Sequence, residues 1–220
     1  MRPQSRRPAE GPHPHFELTG ETDPAVLRRW GVTDCGRVDR RNLTRGLTRL
    51  QDPETAPPAS PADLVRHIRE RYHRALIALI GDAVALALAC ERAHSDKDLW
   101  PHGLSDRLIG ILDALEAHQQ REDAVVFPML LAGGPEATEA AALMAAEHGV
   151  VRGLLDAAAA MTRGFAIPEA ACAKWRLLYV LCRKIDFDVR EQMRLEECGL
   201  FPADIRDSTE ACICSAATFG

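Results

Sequence analysis

Apolar side chains recur at intervals of three and four residues from about position 61 to position 200. This spacing is that of one face of an α-helix, and it separates into four runs. Glycine and proline divide the runs and predict turns between them. The expected core positions, helix by helix, are Leu76, Ile77, Ile80, Val84 and Leu88; Leu108, Ile111, Leu115, Val126 and Met129; Met144, Val151 and Leu155; and Leu178, Leu181, Ile185 and Val189.

The four runs predict four long helices with short connections. They are expected at about 61–94, 104–131, 135–161 and 168–201. Strand-like alternation of useful length is missing from the sequence, and short connections favour antiparallel neighbours. We therefore predict an all-α protein whose main unit, residues 61–202, is an antiparallel up-down four-helix bundle.

The segments outside the bundle differ in composition. Residues 1–22 are rich in Pro, Arg, Gly and His, which predicts a disordered tail. Residues 23–52 are expected to form a small N-terminal helical domain containing Cys35, with helices at 24–30 and about 40–50. A proline-rich linker follows at 53–60, and the tail at 203–220 contains Cys212 and Cys214 in a Cys-x-Cys motif.

Composition narrows the function classes. The net charge of −5 and an aromatic content of 5% do not favour nucleic acid as a partner. The longest apolar run, 75–90, is interrupted by Asp82 and is too short to span a bilayer comfortably, so it is interpreted as a buried helix. Seven cysteines without an export signal indicate a cytoplasmic protein with reduced thiols.

Polar side chains interrupt the apolar stripes. They are, in chain order, His73, His118, Glu122, His148, Gln192 and Glu196. A buried carboxylate costs several kcal/mol unless it is paired or bound to a cation. In the absence of a metal, the two carboxylates would face each other and raise each other's pKa.

These six side chains are expected to meet at one level of the bundle. At a rise of about 1.5 Å per residue, all lie within roughly 10–20 Å of the same end. Imidazole together with carboxylates that can bridge favours iron over zinc or calcium. By the same arithmetic His94 lies about 31 Å from His73, at the opposite end. The remaining histidines, His13, His15, His67 and His102, are expected to be solvated.

Several sequence runs resemble the hemerythrin-like repair-of-iron-centres family, bacterial di-iron proteins of nitrosative and oxidative stress. The runs are HIRERYH (67–73), ERAHSDK (91–97), HQQREDAVVFPM (118–129), MAAEH (144–148) and LEECGLFP (195–202). The resemblance covers residues 61–202, and WGVTDCG (30–36) is similar to the family's short N-terminal cysteine domain.

The resemblance implies a hemerythrin-like bundle with an oxo- and carboxylate-bridged centre of two iron ions. Its ligands would be His73, His118, Glu122, His148 and Glu196, with Glu122 and Glu196 bridging. The implied ligands are nitric oxide or dioxygen, and the implied partners are damaged iron–sulfur proteins. Neither nucleic acid nor a membrane is implied, and the chain is expected to be a monomer or a homodimer.

The sequence departs from the family at two places. Gln192 stands where the family has a histidine, four residues before the second bridging glutamate, and Cys35 stands without an adjacent cysteine. Iron repair or nitric oxide binding is the first hypothesis, and an oxygen-binding hemerythrin carrier or sensor is the alternative. A ferritin-like oxidase would show Glu-x-x-His repeats, and a metal-free interaction module would not bury Glu122 and Glu196. Whether the protein turns over a substrate stays open.

Overall fold

A computed structural model of the chain describes residues 24–30, 32–34, 37–38 and 57–206. The expected tails, the helix at about 40–50, most of the linker, and the cysteines Cys35, Cys212 and Cys214 lie outside these residues. A short helix α1 (Pro24–Trp30) is followed by two paired antiparallel strands, β1 (Val32–Asp34) and β2 (Arg37–Val38). This strand pair was not predicted, because strands of three and two residues are too short to show alternation.

Four long helices form the bundle. They are α2 (Pro61–Ala93), α3 (residues 104–132), α4 (Pro135–Met161) and α5 (Ala173–Gly199), and the short α6 (Ala203–Arg206) follows. Contacts run from α2 to α3, from α3 to α4, from α4 to α5 and from α5 back to α2. This is the predicted antiparallel bundle, and the all-α class is confirmed. The fourth helix begins at Ala173 rather than at the predicted 168.

Local sequence signals set the helix ends. Ser60 caps α2 by accepting a hydrogen bond from the backbone N–H of Asp63, and Pro61 occupies the first helical position. Gly103 precedes α3 and Gly133 follows it, both with positive φ, a conformation that glycine adopts without strain. These turns match the boundaries that glycine and proline predicted.

Two of the long helices contain a π-helical turn beside the polar residues. In α2 the turn is Arg69–His73, and in α3 it is Glu122–Val126. The N–H of Phe127 bonds to the carbonyl of Glu122, five residues back, which widens the helix by one residue. Such bulges are frequent at functional sites.

The predicted stripes form the core. Leu76, Ile80 and Val84 of α2 are buried, as are the predicted positions of α3 other than Met129 and all those of α4 and α5. The predicted positions Ile77, Leu88 and Met129 are half-buried. One 18-residue window of α2 has a mean hydropathy of 1.7 and is apolar enough to cross a membrane, yet 61% of that window is buried inside the protein. That burial is typical of the core helix of a bundle.

Asp82 explains how α1 is held on the bundle. This carboxylate is buried on α2, and a buried charge needs a partner. The guanidinium of Arg29 lies 2.8 Å from it, and the indole N–H of Trp30 donates to it at 2.9 Å. The residue that interrupts the apolar run therefore anchors the preceding helix.

The cysteines of the described residues differ in oxidation state. Cys90, Cys172 and Cys182 are reduced cysteines. Cys198 is disulfide-bonded. The expectation of reduced thiols is therefore wrong for Cys198.

Candidate metal centre

All four bundle helices contribute to one buried polar cluster. His73 comes from α2, His118 and Glu122 from α3, His148 from α4, and Glu196 from α5. Each of these side chains is at most 6% exposed. One ligand atom from each of His118, Glu122, His148 and Glu196 lies within 4.8 Å of the others. Gln192, 1% exposed, lies one helical turn before Glu196 on the same face of α5.

Many donor atoms in this cluster are buried without a hydrogen-bond partner among the described residues. They are Nε2 of His73, His118 and His148, Oε2 of Glu122, Oε1 of Gln192, and both carboxylate oxygens of Glu196. Each imidazole Nε2 nevertheless lies 3.1–3.2 Å from a glutamate oxygen. The atoms are close but not aligned for hydrogen bonds. Lone pairs that converge without pairing fit a bound cation, because unsatisfied buried polar groups are otherwise costly.

Each histidine is oriented from behind by a carboxylate. Nδ1 of His73 lies 3.4 Å from Asp123, Nδ1 of His118 lies 3.1 Å from Glu147, and Nδ1 of His148 lies 2.7 Å from Glu197. With a proton on Nδ1, the lone pair of Nε2 is free to bind a metal. Carboxylates in this position fix the tautomer and ring orientation of metal-binding histidines.

An arginine holds each of these three carboxylates in turn. Arg69 bonds Asp123 at 2.7 Å, Arg152 bonds Glu197 at 2.6 Å, and Arg121 pairs with Glu147. Each of these three histidines is thus the inner end of a chain of arginine, carboxylate and imidazole that reaches the surface.

Two phenylalanines complete the walls. The ring of His73 stacks on Phe127, with centroids 5.8 Å apart, and the ring of His148 stacks on Phe201 at the same distance. Both phenylalanines are buried. The imidazoles are therefore fixed in plane by stacking and in rotation by their Nδ1 bonds.

When no cation is bound, the side chains of the cluster shift one another's pKa values. Burial raises the pKa of Glu196, and the charge of Glu122 adds to this, so that it reaches about 7. Burial would also raise the pKa of Glu122, but the facing imidazoles of His118 and His73 hold it well below its usual range. Burial would lower the pKa of His118, yet the neighbouring carboxylate of Glu122 outweighs that and raises it to about 9. The expectation that both carboxylates have raised pKa values is therefore wrong for Glu122, because two imidazoles face it.

The other histidines lie away from this cluster. Nε2 of His94 is 3.2 Å from the sulfur of Cys172, which caps the start of α5, whereas Gln192 and Glu196 lie near the end of that helix. His102 is exposed. His67 is half-buried with its ring against Tyr72, so the expectation that it is solvated holds only in part.

The backing carboxylates and arginines were not predicted from the sequence. A signal for two of them exists, an internal repeat of the form Glu-acid-x-x-x-Phe-Pro. It occurs as EDAVVFP at 122–128 and as EECGLFP at 196–202. In both copies the first acid lies in the cluster, the second backs a histidine, and the phenylalanine stacks on that same histidine.

Comparison with known proteins identifies the family of this chain. Residues 63–203 match the model of the hemerythrin HHE cation binding domain. The chain is 35% identical over 145 residues to an iron–sulfur cluster repair protein YtfE of Yersinia pseudotuberculosis, covering 66% of each chain. It is 33% identical over 167 residues to the YtfE protein of Dickeya chrysanthemi, covering 72% of this chain and 76% of that one.

This chain belongs to the hemerythrin HHE family, in its repair-of-iron-centres group. It spans just under two thirds of the length of the Yersinia relatives that it matches.

Proposed function

We propose that His73, His118, Glu122, His148, Gln192 and Glu196 hold two iron ions, bridged by the two glutamates. The observation that supports this most is the set of converging buried donor atoms without hydrogen-bond partners. Three imidazole nitrogens and several carboxylate oxygens suit iron. The arginine-held carboxylates behind the histidines supply the outer shell that such a site needs.

The contacts support a proposal of two metal positions with unequal sets of ligands. Oε1 of Glu122 lies beside His118, whereas its Oε2 lies beside His73, so the two oxygens face different positions. The rings of His118 and His148 are 4.9 Å apart and share the first position. In the internal repeat, His118 corresponds to Gln192, each four residues before its glutamate. The first position therefore has His118 and His148 as ligands, whereas the second has His73 and Gln192.

The function that this site supports best is protection against nitrosative and oxidative damage, through nitric oxide binding at the iron centre, iron donation to damaged iron–sulfur clusters, or both. The name of the YtfE relatives, iron–sulfur cluster repair protein, supports the second activity. The iron next to Gln192 would be held by weaker ligands, so it is suited to release. A cytoplasmic location is part of this proposal, and the burial of α2 inside the bundle argues against its being a membrane span.

Metal analysis of the purified protein tests the site. Protein from iron-replete cells is expected to hold up to two irons per chain, with the absorption of bridged ferric iron. His118→Ala is expected to lose iron, whereas His94→Ala, at the other end of the bundle, is expected to keep it. Stoichiometric zinc without iron, or equal iron loss in the two variants, would contradict the assignment.

Activity is tested with reduced, iron-loaded protein. Nitric oxide is expected to change the optical spectrum in wild type and not in His118→Ala. A protein with a nitric-oxide-damaged [4Fe–4S] cluster is expected to regain activity when wild type is added. If dioxygen binds reversibly while nitric oxide and the damaged protein give no response, the oxygen-carrier alternative replaces this proposal.

A further inference from the structure

A second cluster of reactive side chains lies at the end of the bundle remote from the metal centre. Cys90 and His94 come from the last turn of α2 and the residue after it, and Cys172 is the N-cap of α5. His94 follows His73 by 21 residues along a continuous helix, which separates the two ends by about 31 Å. The metal ligands therefore play no part in this cluster.

The contacts around Cys172 favour its thiolate. Its sulfur lies 3.2 Å from Nε2 of His94. It also accepts a hydrogen bond from the Cys90 thiol, and the backbone N–H of Trp175 faces it at the start of a 27-residue helix. A helix N-terminus and neighbouring donors stabilise a thiolate.

Two of the reduced cysteines, Cys172 and Cys182, differ in the pKa of their thiols. The hydrogen bond from Cys90 lowers the pKa of Cys172 most, and it outweighs partial burial with the help of His94, so the pKa lies well below its usual range. By contrast, full burial raises the pKa of Cys182 to about 12. Cys182 is therefore an internal control for an inert thiol.

The accessibility of the two neighbouring sulfurs also differs. Cys172 is half-buried, whereas Cys90 is 1% exposed. A small solute can thus reach Cys172 before it reaches Cys90. The buried indole N–H of Trp100, whose ring lies against His94 and Trp175, has no partner among the described residues and could bond a small oxygen-bearing molecule there.

We propose that Cys172 and Cys90 form a peroxide-reactive dithiol, in which Cys172 is the attacking thiolate and Cys90 the resolving thiol. The Cys172 sulfur attacks one oxygen of hydrogen peroxide, the O–O bond breaks, and hydroxide leaves and takes a proton from solvent. Cys172 is then a sulfenic acid. The Cys90 sulfur attacks it, a disulfide forms, and water leaves. Two thiols lose two electrons in total, and one peroxide becomes two waters.

Peptide mapping of the iron-loaded full chain tests this dithiol. The reduced protein is treated with about one equivalent of hydrogen peroxide, and remaining thiols are then blocked and identified by mass spectrometry. A Cys90–Cys172 disulfide that dithiothreitol reverses is expected, with Cys182 still reduced. Trp100 and Trp175 adjoin the cluster, so their fluorescence should report the rate.

Three variants separate the roles. Cys90→Ala should stop the reaction at a Cys172 sulfenic acid that dimedone traps, and Cys172→Ser should leave Cys90 reduced. His94→Ala should slow oxidation of Cys172 by about tenfold, because a donor to the thiolate is lost. Cys182→Ala should behave as wild type, and iron content with far-ultraviolet circular dichroism checks that each variant folds.

Two results would overturn the proposal. One is that Cys172 in the folded wild type reacts no faster than Cys182. The other is that wild-type Cys172 is oxidised while Cys90 stays reduced, which would leave Cys172 as an isolated reactive thiol.

Discussion

Gln192 is the residue at which the two halves of the metal site differ. Its counterpart in the internal repeat is His118, whose Nδ1 is backed by Glu147, itself held by Arg121. Glu147 directly precedes His148, and the residue that directly precedes His73 is Tyr72. The second half thus has a glutamine where the first has an imidazole, and a tyrosine at the sequence position that corresponds to Glu147.

Gln192→His should tighten the hold on the iron at the second position. An amide oxygen is a weaker donor to ferrous iron than an imidazole nitrogen. Changes in the outer shell alone alter metal affinity by roughly 10–100-fold, so a gained nitrogen ligand should slow iron release by at least about tenfold. The measurement is iron transfer to a chelator under reducing conditions, which is expected to show two phases in wild type and a slower fast phase in the variant.

Gln120→His is the matched control. Gln120 is an exposed residue of α3, so the variant adds an imidazole outside the cluster and should release iron as wild type does. If wild type and Gln192→His release iron in one phase at the same rate, Gln192 is not a ligand and the weak second position does not exist.

The sequence reveals the inner residues of the site better than the outer ones. Glu122 and Glu196 are visible because a carboxylate on an apolar stripe is costly. Asp123 and Glu147 have 46% and 24% of their side chains exposed, so in the sequence they look like ordinary surface acids. Their role depends on which imidazole each one meets across the bundle, and helical periodicity does not contain that information.

At the scale of the element, the π-helical turns are the feature that the sequence did not predict. Helix α3 was predicted to run through Glu122 without a break, and its length was right. The extra residue in the turn Glu122–Val126 leaves no mark in composition, because it needs neither glycine nor proline. Its effect is to present Glu122 and Phe127 to the cluster within one element, and the turn Arg69–His73 does the same for His73.

Two glycines of the bundle helices are predicted to respond differently to an added methyl group. Gly199 lies where α5 packs closely against α2 next to the metal site, and Gly153 lies in α4. A Cβ at Gly199 would collide with the side chain of Leu64, which is buried in α2. Gly199→Ala should therefore lower the free energy of unfolding by about 1–3 kcal/mol, the usual cost of overpacking. Gly153 of α4 has nothing within 4 Å of its Cβ position. Gly153→Ala should raise the free energy of unfolding by about 0.5–1 kcal/mol.

Urea denaturation of the three proteins measures both effects. The two substitutions have opposite signs although they add the same methyl group to helical positions. If Gly199→Ala is as stable as wild type, Leu64 moves aside without cost and the two helices are packed less tightly than described.

At the scale of the whole molecule, the metal centre is the point where two similar halves meet. Helices α2 and α3 supply one copy of the repeat with its histidine, and α4 and α5 supply the other. Charged side chains from both halves face one another there without solvent. A bound cation therefore stabilises the association of the halves, because metal binding to a folded site contributes to folding free energy.

Removal of iron should make stability strongly dependent on pH. The pKa of Glu196, about 7, and that of His118, about 9, both lie above their ordinary values of 4.5 and 6.5. A raised pKa means that the folded state binds the proton more tightly. The stability that these protons contribute is fully present below the ordinary pKa and is lost as pH rises through the folded one.

Metal-free protein should consequently melt at a lower temperature at pH 8.5 than at pH 6, whereas iron-loaded protein, whose ligands are already deprotonated, should change less. Between pH 6 and pH 8.5 the raised pKa of Glu196 alone corresponds to a loss of roughly 1.4 kcal/mol, or about 3–6 °C in a chain of this size. Glu196→Gln removes the carboxylate that resists ionisation, so the metal-free variant should lose part of this pH dependence. Glu139→Gln, which removes an exposed carboxylate of α4, should keep it. Calorimetric melting of wild type and both variants, with and without iron, measures the difference. If metal-free wild type melts at the same temperature at both pH values, the buried groups do not hold extra protons in the folded state, and the charges of the centre are balanced in another way.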